Sequence, residues 1–273
     1  MKIFSFGGGL GNQIFEYIFY LYMKNKYPNH KMYGHYNSKR LSEHYGLEID
    51  KWFKIQLPKS TWYSTMIVLF LVLIKRIIKR NPFVDASQRE CKNENAIVFL
   101  AFKYTKLYFP KNEHWLIWNI NEDELSPENK DILCQIRETN SWFIHVRRGD
   151  FLSKKYKKKY EGCCPLSYYQ QAIAEIMTKE DNPTFFGFSD DIDWAKKNLP
   201  PVNIKFIDWN NGRNSPIDMF LMSQCKGAII ANSTFSYWGA VLGYKKKQIY
   251  YPQKWMTNQN STPDIFFNNW IKL

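Results

Sequence analysis

WFIHVRRGDF, residues 142–151, changes character halfway along. Trp142 to Val146 is aromatic and β-branched apart from His145, which predicts a buried strand. Arg147, Arg148, Gly149 and Asp150 follow at once. Two adjacent guanidiniums repel each other, so an anionic partner is expected between or beside them.

Working outward, the same alternation recurs. SYYQQAIAEIMTK (167–179) predicts an amphipathic helix with Tyr169, Ile173 and Ile176 on one face. Pro183 precedes TFFGF, a strand ending at Phe188. DDIDWAKKNL (190–199) predicts a helix with acids early and lysines late, as the helix dipole prefers, and Pro200-Pro201 stops it. VNIKFI (202–207) is a strand. SPIDMFLMSQC (215–225) is a helix with Ser215 as N-cap and Pro216 in the first turn. GAIIA (227–231) is a strand, STFSYWGAVLGY (233–244) a helix closed by Gly243, and QIYYP (248–252) a strand. This order implies a parallel sheet with right-handed crossovers and helices on both faces.

The chain opens the same way. KIFSF (2–6) is a strand, GGGLGN (7–12) a turn and QIFEYIFYLYMKNK (13–26) a helix. IVFLAF (97–102) is expected as a strand, while the rest of 30–135 carries little assignable pattern. The expected class is therefore α/β with two lobes, residues 1–135 and 136–273. NEDELSPENKD (121–131) would be a linker or an exposed helix start, and a return of the last helix to the first lobe is allowed for.

Three polar clusters follow predicted strands directly. They are His145 with Arg147, Arg148 and Asp150; Ser189, Asp190 and Asp191; and Asn232, Ser233, Thr234 and Phe235. Each alone reads as an ordinary surface pair or helix cap. Together they fall on the carboxyl edge of one parallel sheet, where open α/β sheets bind ligands. Arginine offers forked donors to phosphate. The helix start at Ser233–Phe235 offers backbone N–H groups and a dipole to the same kind of group. Asp190 or Asp191 could accept from a guanine's N1–H and amino group.

The formal charge of +13 suits an anionic partner, whether nucleotide, nucleic acid or membrane surface. No nucleic-acid, P-loop, GxGxxG or HExxH motif is present. Asp191-Ile192-Asp193 matches a bare DxD, but its second acid would lie inside a helix start beside Trp194, and no metal is expected. Five cysteines, Cys91, Cys134, Cys163, Cys164 and Cys225, show no metal spacing and cannot pair completely, which favours a reducing cytoplasm. The N-terminus has no signal-peptide pattern. Residues 66–74, MIVLFLVLI, are too few to span a bilayer, and KRIIKR (75–80) follows. The run reads as a buried helix with a basic end, or as an interfacial helix making peripheral contact with the inner membrane face through 66–80. SKKYKKKYEG (153–162) reads as a solvated loop or a flap.

Four stretches, GGLGNQIFEY (8–17), HVRRGDF (145–151), FSDDIDWAKKNL (188–199) and NSTFSYWGA (232–240), resemble the α-1,2-fucosyltransferases of glycosyltransferase family 11 in type and order. The resemblance implies a GT-B-like fold, two Rossmann-like lobes with a cleft between them, an acceptor-side lobe first and a donor lobe second. It implies GDP-β-L-fucose as donor and a galactoside-terminated glycan as acceptor, joined at its 2-hydroxyl with inversion. No metal or other cofactor and no nucleic-acid partner is implied. Arg147 would contact the β-phosphate, with Arg148, His145 and Asp190 or Asp191 around the nucleotide. Ser233, Thr234 and Phe235 would cradle phosphate, with Asn232 in the same donor-binding set, and Asn12 would face the reaction centre. Asp150 and His145, and less so Glu16, are candidate bases. Another GDP-sugar-dependent glycosyltransferase and a basic nucleic-acid-binding protein are the alternatives.

Overall fold

The computed structural model describes residues 1–36, 45–78, 81–111, 115–243, 248–257 and 262–273. The ends of two expected segments, Lys79-Arg80 and Tyr244, lie outside them. The chain divides into two compact units. The first is Met1–Ile120 with Pro263–Ile265, and the second is Asn121–Thr262 with Phe266–Leu273.

The first unit runs β1 (Lys2–Phe6), α1 (Leu10–Lys26), β2 (Met32–Tyr36), α2 (Ile49–Trp52), α3 (Trp62–Ile77), β3 (Val84–Asp85) and β4 (Val98–Phe99). Its sheet is parallel throughout, in the order β2-β1-β4-β3. Aromatic residues fill the layer between sheet and helix: Phe4 stacks on Phe99 with centroids 5.1 Å apart and meets Phe19 and Tyr20 edge-on. The expected strand over 97–102 shrinks to two residues. Ala101 lies at φ 66°, a left-handed turn that an extended strand cannot contain.

The glycine-rich turn after β1 is clamped from beneath. Gln13 is fully buried and uses its whole amide. Its Nε2 donates to the carbonyls of Gly8 (2.9 Å) and Gly46 (2.8 Å). Its Oε1 accepts from the backbone of Glu48 (2.9 Å) and Ile49 (3.1 Å). Glu16 Oε2 accepts from the Gly7 N–H at 2.9 Å, and burial pushes its carboxyl well above the usual range.

The second unit begins earlier than the sequence suggested, because α4 (Pro127–Glu138) packs on β5 (Asn140–Val146) and on α8 (Pro216–Gln224). Ile132, Leu133 and Ile136 supply that buried face, and residues 121–135 therefore go with the second unit. Between β5 and α8 come α5 (Lys157–Tyr160), α6 (Leu166–Lys179), β6 (Pro183–Ser189), α7 (Ile192–Asn198) and β7 (Ile204–Ile207). After α8 follow β8 (Gly227–Ile229), α9 (Thr234–Val241), β9 (Ile249–Tyr251) and β10 (Ile271–Lys272).

The six strands are parallel, in the order β10-β9-β8-β5-β6-β7. Connections run one way from β5 through β6 to β7, and the other way through β8, β9 and β10. The order reverses between β5 and β8, which is the switch point where doubly wound sheets hold ligands. Tyr169, Ile173 and Ile176 do form the buried face of α6, against Trp142 and Ile144. Gly227 is required by contact: a Cβ there would lie 2.3 Å from the Trp142 ring.

Two expectations change. Ser215 occupies the N-cap position of α8 but makes no side-chain cap, because its own backbone is already helical (φ −53°, ψ −30°) after the 3-10 turn Gly212–Asn214. No helix follows α9 among the described residues. The return to the first unit is made instead by Pro263–Ile265, where Asp264 accepts from the Lys106 N–H at 2.7 Å.

Gln13→Ala leaves four backbone groups without their partner. Buried unpaired groups cost about 1–3 kcal/mol each, so a loss of at least about 3 kcal/mol is expected in chemical denaturation. An unchanged midpoint and slope would show that the clamp contributes nothing.

Candidate active site

The polar residues expected at the sheet edge do come together at the ends of three adjacent strands, β8, β5 and β6. Register places His145 opposite Phe188 and Val146 opposite Ser189, so Arg147 and Asp190 leave their strands side by side.

The two arginines do not confront each other bare. Arg147 Nη2 pairs with Asp150 at 2.9 Å and its Nη1 with Asp190 at 3.1 Å. Arg148 Nε donates to Asp191 at 3.0 Å, and its guanidinium lies 4.0 Å over the Trp194 ring. Asp190 also accepts the Arg148 backbone N–H at 2.8 Å. Three carboxylates thus hold two guanidiniums in fixed directions. Arg147 has five N–H donors and these contacts use two, so donors remain for a further anion. Its side chain is 26% exposed.

Gly149 permits this arrangement, since a Cβ there would sit 2.7 Å from Asp190 Oδ2. Asp191 caps α7, accepting from the Trp194 N–H at 3.3 Å, and its own N–H donates to Ser189 Oγ at 2.9 Å. Both its oxygens are engaged in holding local structure, while Asp193 is exposed on the helix. Among the described residues no three His, Cys, Asp or Glu side chains converge as metal ligands.

His145 is 4% exposed, and its Nδ1 has no hydrogen-bond partner among the described residues. Burial, and secondarily the Arg147 charge, push its pKa down to about 3 against the opposing pull of Asp190. The ring is therefore neutral at pH 7. It faces Phe235 with centroids 6.0 Å apart, which ties the end of β5 to the start of α9.

Ser233 caps α9, accepting from the Phe235 N–H at 3.3 Å. Thr234 and Phe235 are half-buried in the first turn. Asn232 lies behind them at 4% exposure: its Oδ1 accepts from the Cys164 thiol (3.3 Å) and its Nδ2 donates to the Trp255 carbonyl (3.1 Å). It braces the turn. Asn12 belongs to the first unit, in the first turn of α1. Within 153–162, residues Lys157–Tyr160 form the short α5, and Tyr160 stacks on Phe151 at 4.1 Å.

Sequence reading gave Gly149 as a turn able to bring both arginines to a ligand, and the structure adds that it must lack a Cβ to admit Asp190. It overlooked Gln13 and the part played by Trp194. Trp194 had a signal, three residues beyond Asp191 in a helix start. Gln13 had none, because it acts on groups brought from elsewhere in the chain.

Two α/β units with parallel sheets, the second doubly wound with its charged groups at the switch point, define a GT-B-like glycosyltransferase fold. The same fold is seen in a crystal structure of the fucosyltransferase NodZ from Bradyrhizobium, with a TM-score of 0.51 and 12% identity over 88% of this chain and 92% of that one. Residues 111–273 match the family described as Glycosyl transferase family 11, and the chain belongs to that family. Its relatives include an Escherichia coli "O-antigen biosynthesis glycosyltransferase WbnK", 37% identical over 164 residues, 58% of this chain and 53% of that protein. The chain thus matches about half the length of that relative. An Escherichia coli "Alpha-1,2-colitosyltransferase" is 29% identical over 86% of this chain and 85% of its own length. A Sus scrofa "Galactoside alpha-(1,2)-fucosyltransferase 1" is 31% identical over 44% of this chain and 35% of its own length.

The depressed His145 pKa has a sign. Between pH about 3 and 6.5 the unfolded chain binds a proton that the folded chain refuses, so stability rises with pH there. The stability difference between wild type and His145→Gln is expected to change by up to about 1.4 kcal/mol per pH unit across that window, and to flatten above it. A constant difference from pH 4 to 8 would mean that His145 titrates normally.

Proposed function

We propose that the chain transfers L-fucose from GDP-β-L-fucose to the 2-hydroxyl of a terminal galactoside, with inversion and without a required metal. The observation that carries this reading is Arg147, fixed between Asp150 and Asp190 at the switch point of a family 11 chain. The activities for which two relatives are named support the α-1,2 linkage, and one supports a galactoside acceptor.

In such a transfer the bond between the sugar's anomeric carbon and a β-phosphate oxygen breaks. Negative charge grows on the leaving GDP while the sugar passes through an oxocarbenium-like state. Arg147 is assigned to that phosphate, with Arg148 beside it, and Ser233, Thr234 and Phe235 add the helix N-terminus. Neutral His145, with Asp190 or Asp191, is assigned to the guanosine side. The acceptor hydroxyl must shed a proton. A ring whose conjugate acid has a pKa of about 3 is a poor acceptor for it, and the proton is assigned to the Asp150 carboxylate, which stands beside Arg147.

One observation favours a second donor sugar. The colitosyltransferase is aligned over nearly the whole chain, further than the fucosyltransferase. Nucleotide-activated colitose is therefore the competing donor for the same phosphate site.

The test is transfer from GDP-fucose to lactose and N-acetyllactosamine, with and without EDTA, with linkage read by NMR and activated colitose run in parallel. Arg147→Ala should lower turnover about 10²–10³-fold, the usual loss for one preorganised donor to a developing charge. Arg147→Lys should fail nearly as badly, because an ammonium cannot copy the two-pronged pairing. Normal turnover by either variant would place the phosphate elsewhere.

A further inference from the structure

Helix α3 has two unlike sides. Ser64, Val68 and Leu71 are buried, and Val68 and Leu71 pack with Ile3, Val84 and Val98. Thr61 and Ser64 form a capping box, and Ser64 Oγ donates to the Gly34 carbonyl at 3.2 Å. The inner face is thus anchored to its own unit.

The outer face carries Trp62, Met66, Leu69, Phe70, Leu73 and Ile77, all exposed; Trp62 is 80%, Phe70 62% and Ile77 77% accessible. At 3.6 residues per turn these six occupy a sector about 100° wide. A continuous apolar stripe of this kind in water marks an interaction surface.

The charges around it select the occupant. From Lys59 to Ile78 there is no Asp or Glu. Arg76 borders the stripe in the last turn, Lys75 stands in the same turn on the inner side of the helix, and Lys31 and Lys59 lie near Tyr63 at the other end. A second copy laid face to face would bring like charges together. Anionic headgroups would neutralise them while acyl chains take up the apolar stripe. The helix has 16 residues, about 24 Å at 1.5 Å per residue, short of the ~30 Å core. Among the described residues no helix is long and apolar enough to cross a membrane.

We propose that the outer face of α3 lies in the surface of an anionic lipid bilayer, holding the protein at the membrane as a peripheral enzyme. The buried-helix reading of 66–74 accounts for the inner face alone. This proposal is independent of the donor assignment, because binding is measured with no nucleotide present.

Flotation with phosphatidylcholine vesicles, with and without phosphatidylglycerol, tests it. Wild-type protein should float with the anionic vesicles, weakly with neutral ones, and less as salt rises. Phe70→Gln with Leu73→Gln should lower partitioning at least about tenfold, and Arg76→Gln about fivefold. Circular dichroism checks that the variants fold. A readout free of the glutamine variants uses vesicles brominated in the acyl chains, which should quench wild-type fluorescence by an amount lost in Trp62→Phe. Absence of wild-type flotation, or undiminished flotation by the glutamine variant, overturns the proposal. Self-association without vesicle binding, abolished by the same variant, would overturn it too and give the face to a second copy.

Discussion

The guanidinium of Arg147 is held between the carboxylates of Asp150 and Asp190, and the charged site is organised around that grip. An arginine on a strand end samples many rotamers, and binding a phosphate would have to freeze them. Here the two carboxylates have already done so, and N–H donors of the same guanidinium remain for a further anion. Preorganisation of this type is worth most where charge develops during a reaction. It has its own requirements: Gly149 must lack a Cβ, β6 must pair with β5 in one register, and Ser189 must hold the turn that presents Asp190 and Asp191.

Arg148 shows why an arginine pair is stable without a bound anion. It turns away to Asp191 and the face of Trp194, so the like charges are separated by partners and not merely screened. His145 contributes differently. Buried beside Arg147, it stays neutral, and its Nδ1 has no hydrogen-bond partner among the described residues. A neutral imidazole adds no further charge to a site already dense with ions, and an unpartnered buried nitrogen is a group that a ligand could satisfy. The helix start at Ser233 approaches the same region through the Phe235–His145 contact. Asn232, expected to touch ligand, is occupied in fastening that helix start to Cys164 and Trp255.

How much of this could be read from the chain depended on whether the information was local. The second unit alternates apolar strands with helices marked by Pro, Asp and Ser, and nearly every element fell within a few residues of its expected place. The middle of the first unit was opaque because β3 and β4 have two residues each, too short for any periodicity. Their stability comes from remote partners, such as the buried Lys103–Asp85 pair at 2.7 Å. β10, also two residues long, was invisible for the same reason.

The sequence by itself determined the parallel α/β class, the ends of the central strands, and the polar residues that gather there, because strand periodicity and helix-start signals are written in neighbouring residues. Only the tertiary structure decided which carboxylate holds which arginine, that Asn232 braces while Asp190 grips, and that one side of α3 is buried while the other is bare. Those outcomes depend on which distant segments share a boundary, and pairing across a sheet is set by packing over the whole unit.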